Sequence, residues 1–242
     1  MTPEYSIIVP AFNEEDLLPE TLANIRAAMA RLEEFAGEVV VVDNDSSDRT
    51  AEVAAQHGAR VVFEQHRQIA RARNAGAAAA RGRYLIFVDA DTRISLALLG
   101  RTLHALDSGA FCGGGAAIAF DRKLPPGPAL AARLWNLLSR MCRWAAGSYV
   151  FCRRDAFVEV GGFDERFYAS EEIHFSRALK RWGWRNGFRF IILDEPAVTS
   201  SRKLDWFGSG EMARYSLQLC LHPGLLRSRD GCRPWYERHN GR

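Results

Sequence analysis

Two short apolar runs, Tyr5-Ser6-Ile7-Ile8-Val9 and Glu38-Val39-Val40-Val41-Val42, are rich in β-branched residues and almost unbroken, the pattern of strands covered on both faces. Between them Leu18, Leu22, Ile25, Met29 and Leu32 step by four, three, four and three, which sets them on one stripe of a helix. The alternation continues with a helix near 48–57 closed by Gly58, a strand at 59–63, a helix at 67–80 and a strand at 84–88. Strand, helix, strand, helix predicts a parallel sheet with right-handed crossovers. Beyond residue 90 the rhythm loosens into a helix near 95–107, a Gly-rich apolar stretch at 110–120, the loop Lys123-Leu124-Pro125-Pro126-Gly127-Pro128 and a helix at about 129–144. A strand at 148–152, a break at Gly161-Gly162, a helix at 171–182 and an apolar run at 188–193 complete the pattern. With no internal repeat and no long linker, it reads as one α/β domain: a nucleotide-type half over about 1–92, a second half over about 93–222, then a basic tail at 223–242.

The 242 residues suit one large domain, and 48% hydrophobic against 25% charged positions is a globular composition with material for a core. No apolar run reaches the ~20 residues that span a bilayer. Met1-Thr2-Pro3-Glu4-Tyr5 has neither the basic nor the apolar part of a secretory leader, so a cytoplasmic location is expected. The net charge of +3 resides in residues 227–242, where five Arg face Asp230 and Glu237; everything before sums to zero. That distribution argues against nucleic acid, which calls for a basic face on the domain itself, while a short basic end can still touch anionic lipid as a peripheral membrane contact. Five cysteines, at 112, 142, 152, 220 and 232, lack a Cys-x-x-Cys pair, which predicts buried apolar thiols and neither zinc nor disulfides.

In an open parallel sheet, ligands bind beyond the carboxyl ends of the strands. The first strand ends in Pro10-Ala11-Phe12-Asn13-Glu14, the second in Asp43-Asn44-Asp45-Ser46-Ser47-Asp48, and that at 84–88 in Asp89-Ala90-Asp91. Carboxylates gathered at one edge repel one another unless a cation or hydrogen-bond donors arrive. Asp89 and Asp91 stand two apart and point to one side if the extended geometry persists, so they can share Mg²⁺ or Mn²⁺, hard ions suited to oxygen ligands. Taken alone, the tripeptide equally suits a solvated turn capping the helix that begins near Ser95.

A larger unit contains that tripeptide: Arg71-Ala72-Arg73-Asn74-Ala75-Gly76, then Arg81-Gly82-Arg83-Tyr84-Leu85-Ile86-Phe87-Val88-Asp89-Ala90-Asp91. It resembles the "ARN-x-G … A-x-G-x-Y-I-x-F-x-D-x-D" block of family 2 glycosyltransferases, nucleotide-sugar-dependent enzymes with the GT-A fold. Ser6 to Glu14 is similar to the family's opening strand, and Val41 to Thr50 resembles its "V-D-[DN]-G-S-x-D-x-T" block. Gly147-Ser148, Phe151, Arg153-Arg154, Gly161-Gly162-Phe163-Asp164-Glu165 and Glu171-Glu172 resemble the segment that ends in its "ED" pair. Four blocks in order cover roughly residues 5–182.

The resemblance implies a single GT-A domain, Rossmann-like, with a mostly parallel sheet flanked by helices, and a UDP- or GDP-linked sugar donor. It implies Asp91 as direct metal ligand, Asp89 at the ribose or at the metal through water, and Asp43 accepting from the base. Pro10 and Glu14 would line the nucleoside pocket and Arg73 would lie close to the nucleotide. Glu172 becomes the expected general base, in the first turn of a helix where the dipole favours its ionised form, with Glu171 holding the acceptor or supporting the loop. In-line attack assisted by one base inverts the anomeric centre. Asp45 stands where the family usually has Gly, and Glu172 where it usually has Asp. No Gln-x-x-Arg-Trp block follows Glu172, which disfavours processive polymerisation.

Two rival readings remain at this stage: a nucleotide-sugar-binding module without turnover, and a sugar-phosphate nucleotidyltransferase, for which a Gly-rich phosphate loop would be expected after the first strand. The acceptor is left open among a sugar, a lipid-linked group and a small molecule. His174 reads as packed or solvated and not as a ligand. Ser200-Ser201-Arg202-Lys203 can close over a diphosphate or be a charged loop. Trp206, Phe207, Tyr215, Leu217, Leu219 and Leu221 suit a helix docked on the core more than an interfacial one.

Overall fold

The computed structural model describes residues 2–202, 214, 222–232 and 236. The expected β-α alternation is present. β1 (Tyr5–Ala11), α1 (Leu18–Met29), β2 (Gly37–Asp43), α2 (Thr50–Gln56), β3 (Arg60–Phe63), α3 (Ile69–Ala79) and β4 (Tyr84–Val88) build a parallel half-sheet ordered β3-β2-β1-β4. Successive strand residues point to opposite faces, and both faces are covered. Ile7, Val9, Val39, Val41, Ile86 and Val88 belong to one buried layer together with Leu18, Leu22 and Ile25 of α1. Ile8, Val40, Val42, Leu85 and Phe87 share the other with Ala70, Ala72 and Ala77 of α3. That is why these strands read as apolar runs without alternation.

The buried face of α3 is made of small residues, so the helix lies close on the sheet. A Cβ at Gly76 would stand 2.4 Å from Ile8 Cγ2. This close seat carries Arg73, one turn earlier, over the carboxyl ends of β1 and β4.

The second half turns the sheet mixed. After β5 (Thr92–Arg93) and α4 (Leu96–Asp107), the Gly-rich stretch forms β6 (Phe111–Phe120). Glycine serves there for close approach, since a Cβ at Gly114 would meet the Ile191 carbonyl oxygen at 2.2 Å. α5 (Pro126–Cys142) leads to β7 (Tyr149–Arg153), antiparallel to both β4 and β6. α6 (Arg154–Val160) and α7 (Glu171–Asn186) precede β8 (Arg189–Thr199), which runs parallel to β6 and carries β5 antiparallel at its outer edge. The full order is β3-β2-β1-β4-β7-β6-β8-β5. The apolar run at 188–193 marks only the start of β8, and the seven-residue α6 gave no periodic signal long enough to read.

Among the described residues, no helix is long and apolar enough to cross a membrane and the cysteines form no disulfide. Cys112, Cys152 and Cys232 are buried, and burial pushes the Cys112 thiol up to about 11. Lys203, Trp206, Phe207, Tyr215, Leu217, Leu219, Cys220 and Leu221 lie outside the described residues.

Candidate active site

The carboxyl ends of β1 and β2 are in register, Ala11 opposite Asp43, and their loops are stitched together. Asn13 donates its backbone N–H to Ser46 Oγ (2.9 Å) and accepts the Ser47 N–H on its side-chain oxygen (2.8 Å); Glu14 N–H reaches Thr50 Oγ1 (2.8 Å). The turn demands a left-handed residue at position 45, and Asp45 adopts it with φ 63°. Glycine pays no steric cost in that conformation, and Asp is among the few other residues that enter it routinely. Asp45 also accepts a hydrogen bond from Arg67 Nε at 2.9 Å. Asp45 thus holds a backbone conformation that glycine would adopt freely. Asn44 holds the next loop, donating to the carbonyls of Glu64 and His66 and accepting the Gln68 N–H.

Above these ends opens a cavity of about 560 Å³. Pro10 lines it from β1 and Glu14 from the loop that follows, Arg73 from α3, Asp89 and Asp91 from the end of β4, and Glu171 and Glu172 from the start of α7. One of the expected residues is not brought there. Asp43 is buried below the lining, and its Oδ1 accepts the Ser46 N–H at 3.1 Å, which fixes the turn.

Arg73 is the centre of the first charged group. Only 2% exposed, its guanidinium donates to Glu171 Oε1, to Asp89 Oδ1 at 3.0 Å and to the Gly147 carbonyl at 2.8 Å. Burial alone would lower its pKa, but Asp89, Glu171 and Glu172 more than offset this and raise it. Three carboxyl groups thus share one buried cation, and one of them gives way. Burial first, then the neighbouring Glu171, push Glu172 up to about 8, against the opposing pull of Arg73. The helix dipole expected to favour the ionised form is outweighed. Glu172 also abuts Gly147, where a Cβ would stand 3.7 Å from its Cδ.

A second guanidinium bridges a second pair. Arg202, just past β8, donates to Glu14 Oε1 and to Asp91 Oδ2 at 3.3 Å, while Thr199 Oγ1 donates to Asp91 Oδ1 at 3.4 Å. Burial lowers the Arg202 pKa and the two carboxylates raise it, with a net rise. Ser200 and Arg202 therefore lie in the cavity wall. These contacts bear on a metal. The donors are hard oxygens, the kind that suits Mg²⁺ or Mn²⁺, but Arg202 already holds Asp91 and would have to yield it to an ion. Among the described residues no group of three or more His, Cys, Asp or Glu is placed to hold an ion. Such a site would need oxygens from a bound diphosphate to complete it.

Several lining residues escaped the sequence reading. The Arg67 guanidinium carbon lies 4.7 Å from the centroid of the Phe12 ring, and both residues line the cavity. Trp135 enters from α5, and Arg229 and Tyr236 from the far end of the chain, where Tyr236 Oη donates to the Tyr168 carbonyl at 2.9 Å. The described part of 223–242 thus packs against the domain; Tyr168 N–H reaches the Leu226 carbonyl at 2.7 Å. Their partners lie up to 167 residues away in sequence, as for Ile69 and Tyr236. His174 stacks on Phe167, ring centroids 3.9 Å apart, and is not among the lining residues.

Comparison with known proteins begins with a family model that covers most of the chain. The model of the family described as Glycosyl transferase family 2 matches residues 6–167. An uncharacterized glycosyltransferase of Mycobacterium bovis is 39% identical over 105 residues, 43% of this chain and 44% of that protein. A dolichyl-phosphate beta-glucosyltransferase of Drosophila melanogaster is 41% identical over 100 residues, 36% of this chain and 31% of that protein. The matches thus span less than half the length of these relatives. Among solved structures, a mannosyltransferase of Pyrobaculum calidifontis in complex with GDP-Man and Mn²⁺ superposes with a TM-score of 0.67 at 20% identity, covering 96% of this chain and 65% of that one. TarS of S. aureus in complex with UDP-GlcNAc gives 0.63 at 18% identity, covering 93% and 67%. At these identities the structures establish the shared α/β fold.

Proposed function

This chain belongs to glycosyl transferase family 2, and from that premise we propose that it moves one hexose from a nucleoside-diphosphate sugar to an acceptor hydroxyl, with inversion and without processive extension. The observation that carries the reading is the meeting of Asp89 and Asp91, at the end of β4, with Glu172, at the start of α7, on one cavity at the carboxyl edge of the sheet. Glu172 is the base. The acceptor O–H proton passes to its carboxylate as the new oxygen–carbon bond forms at the anomeric carbon. The bond from that carbon to the β-phosphate oxygen breaks, and the nucleoside diphosphate leaves with the electron pair. A single in-line displacement inverts the centre.

Asp91, with Asp89, would hold a divalent cation that neutralises the charge growing on the leaving diphosphate. Mn²⁺ in the Pyrobaculum mannosyltransferase and in the UDP complex of a glucosyl-3-phosphoglycerate synthase supports that assignment. Arg73 keeps Glu171 and Asp89 in place and sets the electrostatics around Glu172. Phe12 and Arg67 are assigned to the nucleobase, and Asp43 to the turn beneath it. The neighbours' donors, GDP-Man and UDP-GlcNAc, frame the panel to try.

Donor turnover in two variants tests the scheme. Glu172→Gln is expected to lower kcat by 10²- to 10⁴-fold with donor binding intact, and Asp91→Ala to lower donor affinity as well. Full activity in either variant contradicts the assignment.

A further inference from the structure

Five of the eight large hydrophobic side chains that stand exposed among the described residues lie on one helix, α5: Leu130 (57%), Leu134 (55%), Leu137 (55%), Leu138 (42%) and Met141 (73%). The other three, Phe63, Val158 and Trp184, belong to separate elements. At 100° per residue the five fall within about 100° of one another on the outer face. The inner face is anchored. Asn136 Nδ2 donates to the Ile118 carbonyl at 2.9 Å and its side-chain oxygen accepts the Ile118 N–H at 2.9 Å, Ser139 Oγ donates to the Trp144 carbonyl at 2.6 Å, and Trp135 lines the cavity. Exposure of the leucines is therefore the outcome of a firmly set helix.

On α5 and at its C-cap the charged residues are Arg133, Arg140 and Arg143, with no Asp or Glu among them. Arg133 and Arg140 flank the apolar strip along one side, Arg140 also pairing with Asp194 at 2.9 Å, and Arg143 closes the helix end. An apolar stripe bordered by cations is the form of a helix lying in a bilayer interface, with the leucines among acyl chains and the arginines at anionic headgroups.

We propose that α5 docks this protein onto anionic membrane surfaces. Since Trp135 presents the same helix to the cavity, docking would hold that cavity beside the headgroups and suit an acceptor carried by a lipid. This last consequence rests on the glycosyl-transfer reading; the docking itself does not.

Co-sedimentation of the full chain with vesicles tests it. Binding to phosphatidylcholine–phosphatidylglycerol (7:3) is expected at least tenfold tighter than to pure phosphatidylcholine, weakened at high salt. Leu134→Glu with Leu137→Glu should lose at least tenfold, with an unchanged melting temperature and unchanged donor binding, whereas Trp184→Glu should bind as the parent does. Absence of binding to the anionic vesicles, equal binding by the double variant, or a soluble dimer that the double variant splits would overturn the proposal. Donor binding measured without vesicles separates this result from failure of the transfer reading.

Discussion

At neutral pH a carboxyl group with a pKa of about 8 keeps its proton, so Glu172 in the free protein is poised just below the condition under which it can act as a base. The expected consequence is a kcat/KM that falls as the pH drops below 8. A flat profile between pH 6 and 8 contradicts it. The same shift has a thermodynamic face. A pKa raised from 4.5 in the unfolded chain to about 8 in the fold gives a stability contribution fully present below pH 4.5 and lost as pH rises through 8. Glu172→Gln should remove that slope, so its melting temperature gains on the parent's between pH 5 and 9. Asp45 offers a quieter test. Asp45→Gly trades about 1 kcal/mol of left-handed strain against a half-exposed ion pair of similar or smaller value and should melt within about 3 °C of the parent. Asp45→Val, branched at φ 63°, should cost about 1–2 kcal/mol. The departures at 45 and 172 were visible in the sequence, but their meaning was not. A backbone angle explains one, and burial among other carboxyls sets the other.

The elements were largely legible. Continuous apolar runs gave β1, β2 and β4, and four-three spacing gave α1, because strands covered on both faces and helices covered on one leave different periods. The glycines of β6 concealed a strand, since their role is to let β7 and β8 approach. α3 shows how an element prepares the site. Its Ala/Gly face seats it on Ile8 and Val42, and Gly76→Val should overpack that contact, costing about 1–3 kcal/mol in thermal unfolding. Arg73 then reaches the site fully buried. Arg73→Met would leave Glu171 and Asp89 without their cation and is expected to cost about 3–5 kcal/mol, seen as a fall of at least 6 °C in Tm. A drop under 2 °C would show the cluster to be weakly coupled.

Across the whole molecule, the candidate site is a meeting of sequence-distant groups. The acidic residues at the strand ends could be found one segment at a time, because each sits where its own strand or helix terminates. Phe12 with Arg67, Trp135, Arg229 and Tyr236 could not, since only the folded chain brings β1, α5 and the residues beyond 222 to one wall. The two arginines that each bridge a carboxylate pair make the same point: Arg73 and Arg202 neutralise acids that sequence reading left exposed to one another. The most direct test is the melting temperature with UDP-, GDP-, CMP- and dTDP-linked sugars, each with and without Mn²⁺. At one hundred times Kd, a donor should add about 2.7 kcal/mol, a rise of about 5–10 °C, dependent on the metal and abolished in Asp91→Ala. If no donor raises it with Mn²⁺ present, or if Asp91→Ala keeps the full rise, the cavity is not a metal-assisted donor site.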